Sequence, residues 1–369
     1  MTASGSPAAA MSVFHYDALP GRIIFGNGSS RAELRAELER LGARRVLVIA
    51  TGQEAGRAGE LVADLDDLVA GTFTEVRPHV PIDVAGRGCE AARRHGADAL
   101  LSVGGGSTTG TAKAIALETG LPIVAIPTTY AGSEVTPVWG RTEGARKTTG
   151  RDLVVLPRVV IYDPELTVSL PAAVTGPSAM NAIAHCVEAF YAPGANPITS
   201  LLAAEGIRAL ASGVRLAVRE PDNLEGREQT LYGAWLAGSA FASAGSGLHH
   251  KICHALGGAY DLPHAETHTI VLPHVVAFNA PAIPAELARI GAALGVEDAA
   301  RGLQELGSEL GAPAALRDVG LGPERLDDAV AVVAEKDFSD NPRPVSEGAL
   351  RGLLDAAVNG RAAIAGSLR

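Results

Sequence analysis

The chain has 369 residues, with 31 Lys and Arg against 41 Asp and Glu, and a formal charge of −10. This acidic balance excludes a general nucleic-acid binder, which carries a basic footprint, and aromatics at 4% leave few stacking platforms for bases. A hydrophobic share of 47% is enough for a large core, and the length suits one large or two ordinary domains. No apolar run approaches the ~18 residues that a membrane span needs, so no membrane partner is expected.

The opening MTASGSPAAA has neither a basic start nor a long apolar stretch and reads as a flexible lead-in over residues 1–10, not a secretory signal. Three cysteines, Cys89, Cys186 and Cys253, show no CxxC spacing and fit a reducing, cytoplasmic setting. A helix is expected from Ser30 to Arg40, opened by a capping-box pair, Ser30 with Glu33. Strands follow at 45–50, 97–103 and 122–126, alternating with helices at 83–95 and 107–119, and an extended region runs from Leu153 to Tyr162. Apolar strands that alternate with helices imply βαβ units and a parallel sheet covered on both faces. After Asp163 the rhythm becomes helical, with segments at 178–191, 199–217, 224–243 and 285–294. The expected architecture is therefore α/β plus all-α. A parallel-sheet dinucleotide-binding domain over 11–163 is followed by an all-helical substrate domain over 164–369.

Gly104, Gly105, Gly106 and Ser107 follow a predicted strand and open a helix. Three glycines let the backbone approach an anion, and helix-start N–H groups favour negative charge, so a pyrophosphate is the natural occupant. Thr128 and Thr129 supply hydroxyls at the next strand end, where parallel sheets place ligands. The turn Thr51, Gly52, Gln53 carries no acid, which suggests tolerance of both NADH and NADPH.

Six of the ten histidines lie between His249 and His274. His250 and His254 are four apart on one helix face, and Asn181 and His185 share that spacing earlier in the chain. With Lys251 between them and His264 and His268 beyond, two readings compete: a metal site, or a cationic pocket for an anionic substrate. Iron or zinc is well served by imidazoles plus a carboxylate, but the earlier helix offers the neutral amide of Asn181. Imidazolium, ammonium and amide groups need no metal to bind carboxylates or to stabilise developing negative charge.

The segments GGGS (104–107), PTTYAGSEVT (127–136), VVIYDPELTVSLP (159–171), MNAIAHCVEAFY (180–191) and GLHHKICHALGGAYDLPHAETH (247–268) together resemble the iron-containing alcohol dehydrogenase superfamily. The match is closest to its maleylacetate reductase branch. The resemblance implies a dehydroquinate synthase-like architecture and a homodimer. It also implies reduction of the C=C bond of 2-maleylacetate, a dicarboxylate, to 3-oxoadipate in aromatic-compound breakdown. In metal-dependent members an Asp, a His four residues on, and two later histidines hold the ion. Those positions match Asn181, His185, His250 and His264, so the carboxylate is missing and a metal is expected to be absent. Gly110 is a second departure, standing where many members have an acid.

By the same resemblance His254 lies near the nicotinamide and is expected to be catalytic, with Lys251 and His250 beside it to stabilise an enolate. Asn181, His185, His250, His264 and His268 are expected to hold the substrate. Gly104, Gly105, Gly106, Ser107, Thr128, Thr129, Ser133 and Lys147 are expected to hold NADH or NADPH. The alternative is a metal-dependent alcohol or polyol dehydrogenase of the same superfamily.

Overall fold

The structure, a computed structural model, describes residues 13–144 and 146–364, at Arg146 and Lys147 the backbone alone. The expected lead-in at 1–10 lies outside the described residues. Strands β1 (Arg22–Phe25), β2 (Val46–Ile49), β3 (Val69–Phe73), β4 (Ala99–Gly104) and β5 (Ile123–Pro127) belong to one sheet. An antiparallel hairpin, β6 (Val138–Glu143) and β7 (Arg146–Arg151), stands apart from it, and β8 (Val159–Tyr162) returns to it. The sheet order is β1-β8-β5-β4-β2-β3, and every neighbouring pair is parallel.

β2, β4, β5 and β8 are buried along their whole length, which explains why they read as continuous apolar runs. The sequence reading passes over β1 and β3, edge strands that are only partly buried and so carry a weaker apolar signal. It also makes the last strand too long. The Asp152 carboxylate accepts from the Val154 N–H at 2.9 Å and turns Leu153–Val155 into a 3₁₀ turn before β8 begins.

Helices α1 (Ser29–Ala32), α2 (Leu34–Arg40), α3 (Ala55–Leu61), α4 (Ile82–Arg94) and α5 (Gly106–Thr119) connect the strands. Leu34, Leu38, Ala58 and Leu61 from α2 and α3 pack on one sheet face with Val46 and Val48. Val84 and Cys89 of α4 and Ile115 of α5 cover the other face with Leu47 and Ile49. The expected capping box does not form. Ser30 lies inside α1, and its hydroxyl donates to Asp163 at 2.5 Å, stitching the start of the chain to the end of β8.

The connection from β2 to β3 leaves in one direction along the sheet, and that from β4 to β5 leaves in the other. Their helices, α3 and α5, lie on opposite faces. The carboxyl ends of β2 and β4 therefore flank a topological switch point, the usual ligand crevice of an open parallel sheet.

Helices then continue as α6 (Ala172–Ala189), α7 (Pro197–Arg219), α8 (Leu224–Ala244), α9 (Leu248–Tyr260) and α10 (His264–Asn279). The rest are α11 (Pro284–Leu294), α12 (Ala299–Glu309), α13 (Leu326–Ala334) and α14 (Glu347–Asn359). α6 begins six residues before its expected start at 178, with Pro171 at its N-cap and Pro177 still in its early turns. α7 and α8 cross closely at Gly213, where a Cβ would lie 2.6 Å from the Thr230 backbone nitrogen. The fully buried Arg227 of α8 ties the helices to the sheet. It donates to the carbonyls of Val168 and Leu170 after β8 and to the hydroxyls of Tyr130 and Thr175. None of the described helices is long and apolar enough to cross a membrane.

Candidate active site

At the sheet end, Gly104 of β4 sits beside Pro127 of β5 in register, so the glycine loop and the threonines emerge side by side. Gly104 has φ +149°, and a Cβ there would lie 2.5 Å from Thr108 Oγ1 and 2.6 Å from Glu54 Oε2. A Cβ on Gly105 would lie 2.9 Å from Thr129 Cγ2. The loop is thus a cradle that side chains would fill, opening onto the first turn of α5 at Gly106 and Ser107. The Thr108 hydroxyl is buried there without a hydrogen-bond partner among the described residues. An exposed backbone, an orphaned hydroxyl and a helix N-terminus fit a pyrophosphate.

Ser133 follows in the next loop, and Lys113 of α5 holds it. The fully buried ammonium donates to the Ser133 carbonyl at 2.6 Å, to Thr136 Oγ1 at 2.9 Å and to the Val138 carbonyl at 2.8 Å. Burial pushes Lys113 down to about 7, against the pull of nearby Glu134. Lys113 was not foreseen, since one Lys in an apolar helix gives no signal of its burial. The side chain of Lys147, expected among the cofactor contacts, lies outside the described residues.

The absence of an acid after β2 needs correction. Gly52 and Gln53 are exposed, but Glu54, one residue further, turns back toward the sheet. Its Oε1 accepts from Thr128 Oγ1 at 2.6 Å and its Oε2 from Thr51 Oγ1 at 3.3 Å.

The histidines converge from three helices. α6 brings Asn181 and His185, α9 brings His249, His250 and His254, and α10 brings His264 and His268. His185 and His250 stack with ring centroids 4.9 Å apart, and His268 stands 4.8 Å from His250 and 4.2 Å from His264. His254 lies 5.8 Å from His250 and 6.1 Å from His264. His254 and His264 are exposed at the rim, whereas Asn181, His185, His249, His250 and His268 are buried. Phe241 of α8 closes one side, 4.6 Å from His185.

The carboxylate that Asn181 does not supply sits one layer back. Glu188 is fully buried two turns along α6, and it accepts from the backbone N–H of Gly247 at 2.9 Å and of His249 at 2.7 Å. A negative charge is well placed at the N-terminus of α9. The same carboxylate meets His250 Nδ1 at 2.5 Å, which leaves Nε2 toward the cluster. His249 Nε2 and His268 Nδ1 share a hydrogen bond of 2.9 Å. Neither Glu188 nor His249 was foreseen. The signal for Glu188 was its position three residues after His185, on the same helix face.

Four polar atoms of the cluster are buried without partners among the described residues: Asn181 Oδ1, His185 Nδ1, His250 Nε2 and His268 Nε2. Such atoms normally have partners, so four together mark a place for a polar ligand.

The expected cationic character is corrected on two counts. Burial, reinforced by neighbouring histidines, pushes His185, His249 and His268 well below the usual imidazole range, so they are neutral near pH 7. Lys251 points elsewhere, donating to the Asp337 carbonyl at 2.8 Å and to Asp340 at 2.6 Å. Cys253 is buried and its thiol is pushed up by burial and by Glu188, as suits packing and not nucleophilic attack.

Comparison with known proteins agrees with this geometry. The iron-containing alcohol dehydrogenase profile matches residues 20–164, and the C-terminal profile of the Fe-containing alcohol dehydrogenase family matches residues 175–358. A maleylacetate reductase of Sphingobium indicum is 48% identical over 347 residues, covering 94% of this chain and 98% of its own. A crystal structure of an iron-containing alcohol dehydrogenase from Corynebacterium glutamicum shares 52% identity with a TM-score of 0.92, over 95% of this chain and 98% of that one. The maleylacetate reductase structure from Agrobacterium tumefaciens shares 46% identity with a TM-score of 0.92, over 95% and 100% of the two chains. The chain is an oxidoreductase that belongs to the iron-containing alcohol dehydrogenase family, in its maleylacetate reductase branch.

Proposed function

We propose that this enzyme reduces the C=C bond of 2-maleylacetate to 3-oxoadipate with NADH or NADPH, in the breakdown of aromatic compounds. The observation that carries the reading is the set of four unpartnered buried atoms, an amide oxygen and three imidazole nitrogens, with no carboxylate among them. A chain almost half identical to maleylacetate reductases supports the choice of substrate. When bound, the dihydronicotinamide supplies a hydride to the alkene carbon β to the ketone. Everything else falls to the chain.

Backbone N–H groups of the glycine loop and the dipole of α5 hold the pyrophosphate, with Thr129 and Ser133 beside them. His254, at the rim, donates to the ketone oxygen as it gains charge, the kind of contact worth ~10²–10³ in rate. Asn181, through its Nδ2, and His185, His264 and His268, through ring N–H groups, donate to the carboxylates and the ketone. His250 presents Nε2 to the substrate, its ring fixed in place by the Glu188 carboxylate on Nδ1. Division into units 11–163 and 164–369, a homodimer and a cytoplasmic location complete the proposal. Three free, buried cysteines support a reducing compartment.

The family name implies iron. Three imidazoles and an amide offer a divalent ion no anionic ligand and one weak donor, so the residues fit iron poorly and no step here uses it. A second reading, a metal-dependent alcohol or polyol dehydrogenase, draws support from the nitrogens of His249, His250 and His268, which gather within 4.8 Å of one another. Glu188 behind His250 also resembles the carboxylate that often backs a ligating histidine.

The test is loss of NADH or NADPH absorbance on adding maleylacetate, with and without a strong chelator, alongside metal analysis of the protein. Chelator-indifferent turnover is expected. Chelator-sensitive reduction of simple aldehydes, without turnover of maleylacetate, would establish the second reading instead.

A further inference from the structure

One short segment joins the glycine cradle to the histidine cluster. Thr129 and Ala131 lie against the cradle, since a Cβ on Gly105 or Gly106 would come 2.9 Å from Thr129 Cγ2 or 3.2 Å from Ala131 Cβ. Gly132, at φ +76°, packs on Gly238 of α8, and a Cβ built on it would lie 3.6 Å from His185 Nδ1. That nitrogen is among the cluster atoms left without a partner in the described residues. The next residue, Ser133, is gripped by Lys113, two turns into the helix whose start forms the cradle. The ammonium meets the Ser133 carbonyl and hydroxyl, Thr136 Oγ1 and the Val138 carbonyl, all within 3.2 Å. An ammonium has three protons, so these acceptors leave none for a ligand. The buried acid of the segment, Glu134, accepts instead from the Tyr162 hydroxyl at 2.8 Å. A fully buried ammonium whose hydrogen bonds all go to neutral acceptors is a costly way to fix a loop. An apolar side chain of similar length would fill the space without that desolvation.

We infer that Lys113 is a positioning residue for hydride transfer, fixing residues 129–133 so that the nicotinamide meets the substrate at reacting distance. The inference rests on the reaction proposed above and adds to it a residue that touches neither cofactor nor substrate. One end of the segment borders the pyrophosphate cradle and the other borders His185, so its placement sets the offset between the two sites. Hydride transfer needs the two carbons about 3–3.5 Å apart, and a misplacement near 1 Å costs about 10²-fold in rate. Three donors on one nitrogen pin the segment to α5 in three directions, which a single hydrogen bond or an apolar contact does not do.

The test compares the unmodified full chain with Lys113→Met, which has no donor, and Lys113→Gln, which keeps an amide donor. Each is measured by thermal melting, NADH titration, steady-state kinetics with maleylacetate and the isotope effect of NADH deuterated at the transferred position. Lys113→Met should stay folded and bind NADH within about threefold of the unmodified protein, yet lose about 10²-fold in kcat. Its isotope effect should be no smaller than before, and Lys113→Gln should fall between the two. A kcat within about twofold of the unmodified protein would overturn the inference, read from Lys113→Met or, if it alone folds, from Lys113→Gln. So would a kcat loss whose isotope effect disappears, because the slow step would then lie outside hydride transfer. An NADH affinity that falls as far as kcat would overturn it by making Lys113 a support of cofactor binding. Unfolding of both variants would overturn it by making Lys113 a support of the fold. An unmodified protein that binds NADH but leaves maleylacetate unreduced would defeat the proposed reaction first, and the inference with it.

Discussion

At the sheet end, the cradle proposed for the pyrophosphate is built of backbone: three glycines and the first turn of α5, with hydroxyls a few residues away beside them. In the helical domain, the proposed substrate site is built of side chains from α6, α9 and α10, and Glu188, which holds His250, lies 62 positions from it in sequence. The polar side chains around the sheet-end site mostly satisfy one another, as Lys113 does with Ser133 and Thr128 with Glu54. The histidine cluster leaves four buried atoms unpaired. A backbone site keeps its shape when one side chain is lost. A side-chain site depends on each member, and its four unpaired atoms have no partner within the described residues.

Glu188→Ala tests this contrast most severely. It strands His250 Nδ1 and two backbone N–H groups, and should cost about 3–5 kcal/mol by urea denaturation, the usual penalty for breaking a buried pair. Glu188→Gln should be milder, because an amide oxygen still accepts at the start of α9. A loss below about 1 kcal/mol from the alanine variant would mean that the cluster is ordered by packing alone.

His254→Ala should lower kcat by about 10²–10³ while NADH affinity stays unchanged, measured by steady-state kinetics beside a binding titration. Unchanged turnover would remove His254 from the reaction.

Acid should act mainly on the helical half. His274 of α10 is pushed down from 6.5 to about 4 by burial, and His185, His249 and His268 move in the same direction. The unfolded chain then binds more protons than the folded one below pH 6.5, so stability is full above that pH and falls as pH drops toward 4. His274 alone accounts for about 3 kcal/mol across that window. Tm measured between pH 7.5 and 5 should therefore decline, and His274→Gln should flatten the decline. A Tm independent of pH would show that these rings are protonated in the native state.

Lys251→Met is the smallest expected change. Its pair with Asp340 is partly exposed, worth no more than about 1 kcal/mol, and turnover should persist. A collapse of kcat would return Lys251 to the active site.

Much of this molecule is written in local pattern. The buried strands β2, β4 and β5 announce themselves as apolar runs, the glycine loop by its place between strand and helix, and the histidines by i, i+4 spacing. Each of these signals arises from residues within a turn or a strand length of one another, where sequence distance and spatial distance agree. Edge strands β1 and β3 escape notice because partial burial relaxes the demand for apolar residues.

Packing decides the rest. Whether Lys251 faces the histidines or Asp340, whether Glu54 turns back onto Thr128, and which carboxylate stands behind His250 all depend on partners dozens of residues away. The charge of the pocket belongs to this second class. A histidine count suggests a cationic site, but desolvation in the assembled helices makes the buried rings neutral, an effect that exists only once the chain has excluded water around them.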